Sequence, residues 1–148
     1  MNVESPHREV VERVQQEHDL LRERLAYLQR VFATKRRPAD EAAALLWDLW
    51  SVLRVHFAHE ESEGFFTEVT TYAPRLTCRA DNLCFEHEAM LHTVSDLARF
   101  ARAGAASQAW WRELTTRFQA LCTQLARHER DEHRLLQDAY QVDLGGDD

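Results

Sequence analysis

Residues 108–141 read QAWWRELTTRFQALCTQLARHERDEHRLLQDAYQ. Along this stretch Trp111, Leu114, Phe118, Leu121, Leu125, His128, Glu132, Leu135 and Ala139 recur at alternating steps of three and four. That period keeps one face of an α-helix turned toward a packed interior and is incompatible with the two-residue alternation of a strand. Two positions on the stripe, His128 and Glu132, are polar, and they stand one helical turn apart.

The same pattern recurs upstream. Val11, Val14, His18, Leu21, Leu25, Leu28 and Phe32 form one stripe, and Leu76, Ala80, Leu83, His87, Met90, Val94, Leu97 and Ala101 another. A less regular stripe runs through Leu46, Leu49, Leu53, His56 and Glu60, after which the positions turn polar around Gly64. Breaks fall at Lys35 to Asp40, at Tyr72-Ala73-Pro74 and at Ala103 to Ser107. Proline pushes the residue before it out of the helical region, and Ser107 is placed to cap the helix that follows. Ser5-Pro6 would open the first helix, and Gly145 to Asp148 would form a solvated tail. The expected elements are helices over roughly 6–33, 39–72, 75–102 and 108–141. Short connections make neighbours antiparallel, so the expected fold is all-α, a single-domain up-down-up-down four-helix bundle.

Composition agrees. The chain has 148 residues, and four glycines with three prolines are too few for a loop-rich β-sandwich. Eighteen basic against twenty-five acidic side chains give a net charge of −7. Non-specific nucleic-acid binding requires a basic face, so no nucleic-acid partner is expected. The first residues lack an apolar core, and no window approaches the length of a membrane span. Neither a signal peptide nor a membrane partner is expected. Cys78, Cys84 and Cys122 are an odd set without metal-type spacing, read as reduced thiols in a cytoplasmic protein.

A lone histidine on an apolar stripe is usually a hydrogen-bonded core residue. Here all four stripes carry one: His18, His56, His87 and His128. At 1.5 Å per residue they lie at similar distances from the breaks joining their helices, and so converge on one level. His56 with Glu60, and His128 with Glu132, are i, i+4 pairs sharing a face. Two buried carboxylates without a cation would cost several kcal/mol each, of order, or take up protons. A metal site removes that cost. Carboxylates bridging two ions with imidazoles around them are a known construction in bundle cores. Glu61, about 100° round the helix from Glu60, is expected not to be needed for metal content.

The run His56-Phe57-Ala58-His59-Glu60-Glu61 resembles the HF-x-x-EE segment of the hemerythrin-like (HHE cation-binding) family. Glu86-His87-Glu88 is similar to the third-helix element of that family, His128 to Glu132 to its fourth-helix H-x-x-x-E, and Glu17-His18 to its first-helix histidine. The order H…HxxxE…H…HxxxE covers nearly the whole chain. Two features set the chain apart from the oxygen carriers of the family. Leu83 occupies the place of an additional third-helix histidine, and His133 the place of the fourth-helix aspartate. The resemblance is thus to the bacterial type, with six ligands.

The resemblance implies two iron ions in an oxo- or hydroxo-bridged centre. His18 and His56 would hold one, His87 and His128 the other, and Glu60 and Glu132 would bridge. It also implies a small diatomic or peroxide ligand: dioxygen, nitric oxide or hydrogen peroxide. Phe57, Phe65 and Phe66 would wall the pocket. His59, Glu63 or Glu86 could take the position left at Leu83. Sensing or binding, peroxide decomposition or nitric oxide reduction, and iron storage or iron–sulfur repair all remain open at this stage. A sensing role would draw on a separate protein partner. A ferritin-like site needs Glu-x-x-His on two helices, and that spacing occurs only from Glu4 to His7. No HExxH zinc motif and no Gly-rich phosphate loop is present. His59 and His133 lie beside the stripes, more as surface groups than as outer partners of the site; His92 is peripheral. Trp47 and Trp110 would widen the core, and Cys84 would simply pack.

Overall fold

A computed structural model describes residues 6–62 and 65–140. Every regular element among them is helical: α1 Pro6–Thr34, α2 Ala39–Ser62, α3 Phe65–Tyr72, a 3-10 turn Pro74–Leu76, α4 Thr77–Ala103 and α5 Gln108–Tyr140. The expected Ser5 cap and the C-terminal tail lie outside the described residues. None of the helices is long and apolar enough to cross a membrane.

The breaks operate as their chemistry requires. Lys35 takes a left-handed φ of 54° at the end of α1, where its N–H donates to the Phe32 carbonyl at 3.3 Å. Gly104 follows α4 in an extended conformation, directly against the indole of Trp110. The Trp110 N–H donates to Ser107 Oγ at 3.1 Å, so Ser107 caps α5.

The single helix expected over 39–72 is instead two elements, α2 and α3. The reason lies in the stripe. After Leu53, His56 and Glu60, the next inward positions would fall on Glu63 or Gly64, neither of which contributes apolar surface. A new helix starting at Phe65 buries Phe65, Phe66 and Val69. Likewise Pro74–Leu76 forms a separate 3-10 turn before α4, which begins at Thr77 rather than at 75.

Every stripe residue named above is buried. α1 packs on α2 and α5, and α4 packs on α2 and α5, with α3 against α2, α4 and α5. Contacts run in opposite chain directions. Phe32 meets Phe118 edge-on at 5.1 Å while His18 meets His133 at 5.2 Å. Arg117 lies over Phe100 at 4.4 Å while Arg79 pairs with Asp138. These contacts are compatible with an up-down bundle.

The apolar interior falls into two clusters. One contains Leu21 to Phe32, Leu46 to Phe57, Met90 to Ala101 and Trp110 to Leu125. The other contains Val10 to Val14, Phe65 to Leu83 and Leu135 to Tyr140. On α1, α4 and α5 the sequence gap between them holds His18, His87, His128 and Glu132, and at the end of α2 His56 and Glu60 flank Phe57, the last residue that helix gives to the first cluster. A polar layer therefore divides two dry cores, and burying such a layer requires that its groups be satisfied.

Candidate metal centre

Six side chains make up this layer: His18 from α1, His56 and Glu60 from α2, His87 from α4, and His128 and Glu132 from α5. All are buried. They form two four-membered groups, His18–His56–Glu60–Glu132 and Glu60–His87–His128–Glu132, each with its donor atoms within 4.8 Å of one another. Glu60 and Glu132 belong to both. All six residues expected from the sequence are thus brought together.

Within the layer each imidazole Nε2 lies against one or both carboxylates, closest at His128, whose Nε2 is 2.5 Å from Oε1 of Glu132. Nε2 of His18 stands 2.9 Å from Oε2 of Glu132, and Nε2 of His56 3.0 Å from Oε1 of Glu60. Nε2 of His87 is 3.5 Å from Oε1 of both Glu60 and Glu132, and 3.1 Å from Nε2 of His128. Even so, His18 Nε2, both Glu60 oxygens and Glu132 Oε2 are buried without an aligned hydrogen bond. Buried polar atoms in native interiors are nearly always satisfied. Short distances without alignment are what lone pairs aimed at a common point produce, and a cation satisfies them together. The donor set fits a metal ion.

The outer ring nitrogens are engaged too. Nδ1 of His56 is 3.0 Å from Glu17, Nδ1 of His87 3.1 Å from Glu61, and Nδ1 of His128 2.6 Å from Glu86. Nδ1 of His18 is 3.1 Å from Nε2 of His133. For His56, His87 and His128 the carboxylate accepts the Nδ1 proton, which fixes the tautomer that leaves Nε2 as an inward acceptor. The pattern is cyclic. A residue next in sequence to an inner donor reaches the histidine of the neighbouring helix: Glu17 of α1 to α2, Glu61 of α2 to α4, Glu86 of α4 to α5, and His133 of α5 back to α1.

This arrangement corrects the sequence reading in several places. Glu61 stays off the inner face and reaches across to the outer nitrogen of His87 on α4, a contact the sequence reading did not include. Glu86 sits on the outer nitrogen of His128 and does not fill the place of Leu83, which is itself part of the second apolar core. His133 is half-buried and stacks on His18, so it is an outer partner rather than a surface group. His59, 43% exposed, pairs with the second oxygen of Glu17 at 3.3 Å. Glu63 lies outside the described residues. His92 is exposed, and Trp47, Trp110 and Cys84 pack against the cores as expected.

Phe57 lies parallel to His87, with ring centroids 4.0 Å apart and an interplanar angle of 7°. Phe66 packs on the same imidazole at 5.7 Å, and Phe65 on Phe66 at 4.5 Å. On the opposite side a groove of about 610 Å³ opens between α1 and α2. Leu20, Tyr27 and Val55 line it together with His56 and Glu17.

The electrostatics show how the two carboxylates divide. Burial, then the charge of Glu132, push the Glu60 carboxyl well above its ordinary value. Burial also opposes ionisation of Glu132, but contacts from His128, His18 and His87 outweigh it and hold this carboxyl well below its ordinary value. Burial lowers His56. For His128 burial is overcome by Glu132 and Glu86, and the proton is held more tightly than usual. The two carboxyls are thus pushed in opposite directions, Glu132 toward its ionised form by the surrounding imidazoles and Glu60 toward its protonated form by burial and by Glu132.

No known protein family, curated protein or solved structure matches the chain.

Proposed function

We propose that this chain is a hemerythrin-like up-down-up-down four-helix bundle whose centre holds two iron ions. His18 and His56 bind one ion, His87 and His128 the other, and Glu60 and Glu132 bridge them. The observation that carries this reading is the pair of donor groups sharing Glu60 and Glu132. One four-donor set would serve one ion; two sets with both carboxylates in common suit two ions at bridging distance. When bound, iron supplies exchangeable coordination positions and one-electron redox chemistry.

The ligand is a small diatomic or peroxide: dioxygen, nitric oxide or hydrogen peroxide. The protein's part is to hold and to shield. Glu17, Glu61, Glu86 and His133 orient the imidazoles from outside. Phe57 and Phe66 cover His87 with hydrocarbon, which limits water around it. The α1–α2 groove brings a small reactant to the His56 side. The three cysteines stand free, in keeping with a reducing compartment.

The test is metal analysis of the freshly purified protein together with its optical spectrum before and after oxygen, nitric oxide and peroxide. The expected result is about two iron atoms per chain and a near-ultraviolet band that one of these ligands changes. One metal per chain, or zinc in its place, would overturn the assignment.

A further inference from the structure

We propose that the two metal positions are unequal, the His87–His128 position filling first and holding its ion harder than the His18–His56 position. This inference rests on the two-ion reading above and goes beyond it. With Leu83 in place of a further histidine, each position has two imidazoles and the same two carboxylates. The inner donors therefore give no reason for one position to differ from the other, and the outer partners decide.

Around the His87–His128 position both outer partners are carboxylates, one per ring: Glu61 on His87 at 3.1 Å and Glu86 on His128 at 2.6 Å. A carboxylate accepting the Nδ1 proton raises the basicity of Nε2 and strengthens its bond to a metal. Around the His18–His56 position the rings do not each have a carboxylate of their own. Glu17 divides its two oxygens between His56 and His59. His18 faces a neutral acceptor, Nε2 of His133, and the nearby Arg22 guanidinium is engaged with Glu129 at 3.0 Å. The first position thus has a carboxylate hydrogen-bonded to each ring, whereas at the second only His56 has one, shared with His59, and the buried Glu129 acts on His18 through charge alone while paired with Arg22.

Packing acts in the same direction. Phe57 stacks flat on His87 at 4.0 Å and Phe66 packs on the same ring at 5.7 Å, so hydrocarbon locks His87, while Phe57 stands farther from His56 and His128, at 5.6 and 5.9 Å. His18 is flanked by the imidazoles of His56 and His133 at 5.3 and 5.2 Å. His56, at 7% the most exposed of the six, lines the α1–α2 groove. A donor already held in its binding rotamer loses less entropy on binding. A position with one of its histidines on the groove wall also exchanges its ion more readily.

Cobalt(II) titration of the metal-free protein, followed by visible absorption and calorimetry, tests this. Two equivalents should bind in two steps whose affinities differ by at least about tenfold. Glu86→Gln should weaken the first step by roughly 10–100-fold and leave the second nearly unchanged. Glu17→Gln should weaken only the second. His133→Glu, which places a carboxylate behind His18, should strengthen the second step and narrow the gap. Glu17, Glu86 and His133 are each partly exposed, and far-ultraviolet circular dichroism confirms that the variants stay helical. Two equal steps, or loss of the first step in Glu17→Gln, would overturn the inequality while leaving the two-ion reading standing. Fewer than two equivalents bound by the unmutated protein would overturn that reading as well.

Discussion

Nδ1 of His18 and Nε2 of His133 are 3.1 Å apart, closing a ring of contacts that passes once through each of the four long helices. Three links in that ring end on a carboxylate; this one ends on a second imidazole. If His18 presents Nε2 to a metal, its Nδ1 carries the proton and His133 accepts it. His133→Ala would leave a buried N–H without that acceptor, at a cost of about 1–3 kcal/mol. It should lower the thermal midpoint of the metal-free protein and weaken metal binding by roughly tenfold. His133→Gln, whose amide oxygen can accept the proton, should recover much of both. Calorimetric melting and metal titration of the two variants check this, and equal damage by both would remove His133 as an acceptor.

Glu60 and Glu61 are adjacent, yet they serve different purposes, which their substitution should separate. Glu60→Ala removes a donor common to both groups and should lose at least one ion per chain. Glu61→Ala removes the outer partner of His87, leaves all six inner donors, and should weaken affinity by roughly 10–100-fold without lowering the stoichiometry at saturating metal. Metal content measured at limiting and at excess metal distinguishes the two outcomes. Unchanged affinity in Glu61→Ala would mean that the contact to α4 does not act on the site.

How far the site can be read from sequence follows from this contrast. The inner donors are legible because they interrupt apolar stripes, where a polar residue is conspicuous. Glu17, Glu61 and Glu86 interrupt nothing. They are partly exposed glutamates in a chain with twenty-five acidic residues, and each helps a histidine of a different helix. A usable signal does exist, since every outer partner adjoins an inner donor in sequence: Glu17 with His18, Glu61 with Glu60, Glu86 with His87, His133 with Glu132. Reading it requires knowing which helices are neighbours. The helices themselves were largely visible from their 3-4 spacing. The exception is α3, where the apolar phase after Glu60 is lost and the chain re-enters the core at Phe65.

The turn into α5 depends on a bare backbone at Gly104. A methyl group there would collide with the Trp110 indole. Trp110 is buried and stands 4.6 Å from Trp111, so it has little room to withdraw. Gly104→Ala should destabilise the fold by about 1–3 kcal/mol, the usual cost of overpacking. Lys35 presents the opposite case, a side-chain-bearing residue with a φ of 54°. Lys35→Gly should stabilise by about 1 kcal/mol, because glycine adopts this conformation without a Cβ clash. Denaturant unfolding monitored by tryptophan fluorescence measures both, and shifts of the same sign would contradict the turn geometries.

Glu60 also makes the stability of the metal-free protein depend on pH. Its carboxyl is held well above the ordinary value of 4.5 in the folded chain, by burial first and by Glu132 second. Above that value the unfolded chain releases the proton while the folded chain keeps it. The folded state then binds more protons, and stability falls as pH rises toward the folded value. His128 acts in the same sense from its ordinary value of 6.5 upward, because Glu132 and Glu86 make it hold its proton longer when folded. His56 and His133, both lowered by burial, act oppositely, but their effect is complete once the unfolded imidazoles have lost their protons near 6.5. Between about pH 6.5 and 8.5 the metal-free protein should therefore melt progressively lower. Metal replaces the proton on Glu60 and supplies the positive charge that the layer lacks, so the loaded protein should hold its midpoint over the same range. The gap between the two forms should widen with pH, then close on acidification as protons displace the metal from the imidazoles. Glu60→Gln keeps the shape and removes the titration. It should melt higher than the unmutated metal-free protein at pH 8, show a flatter pH dependence, and gain little from added metal. A metal-free midpoint that rises from pH 6.5 to 8.5, or a glutamine variant that melts lower at pH 8, would mean that Glu60 is ionised without a cation and that the polar layer satisfies itself.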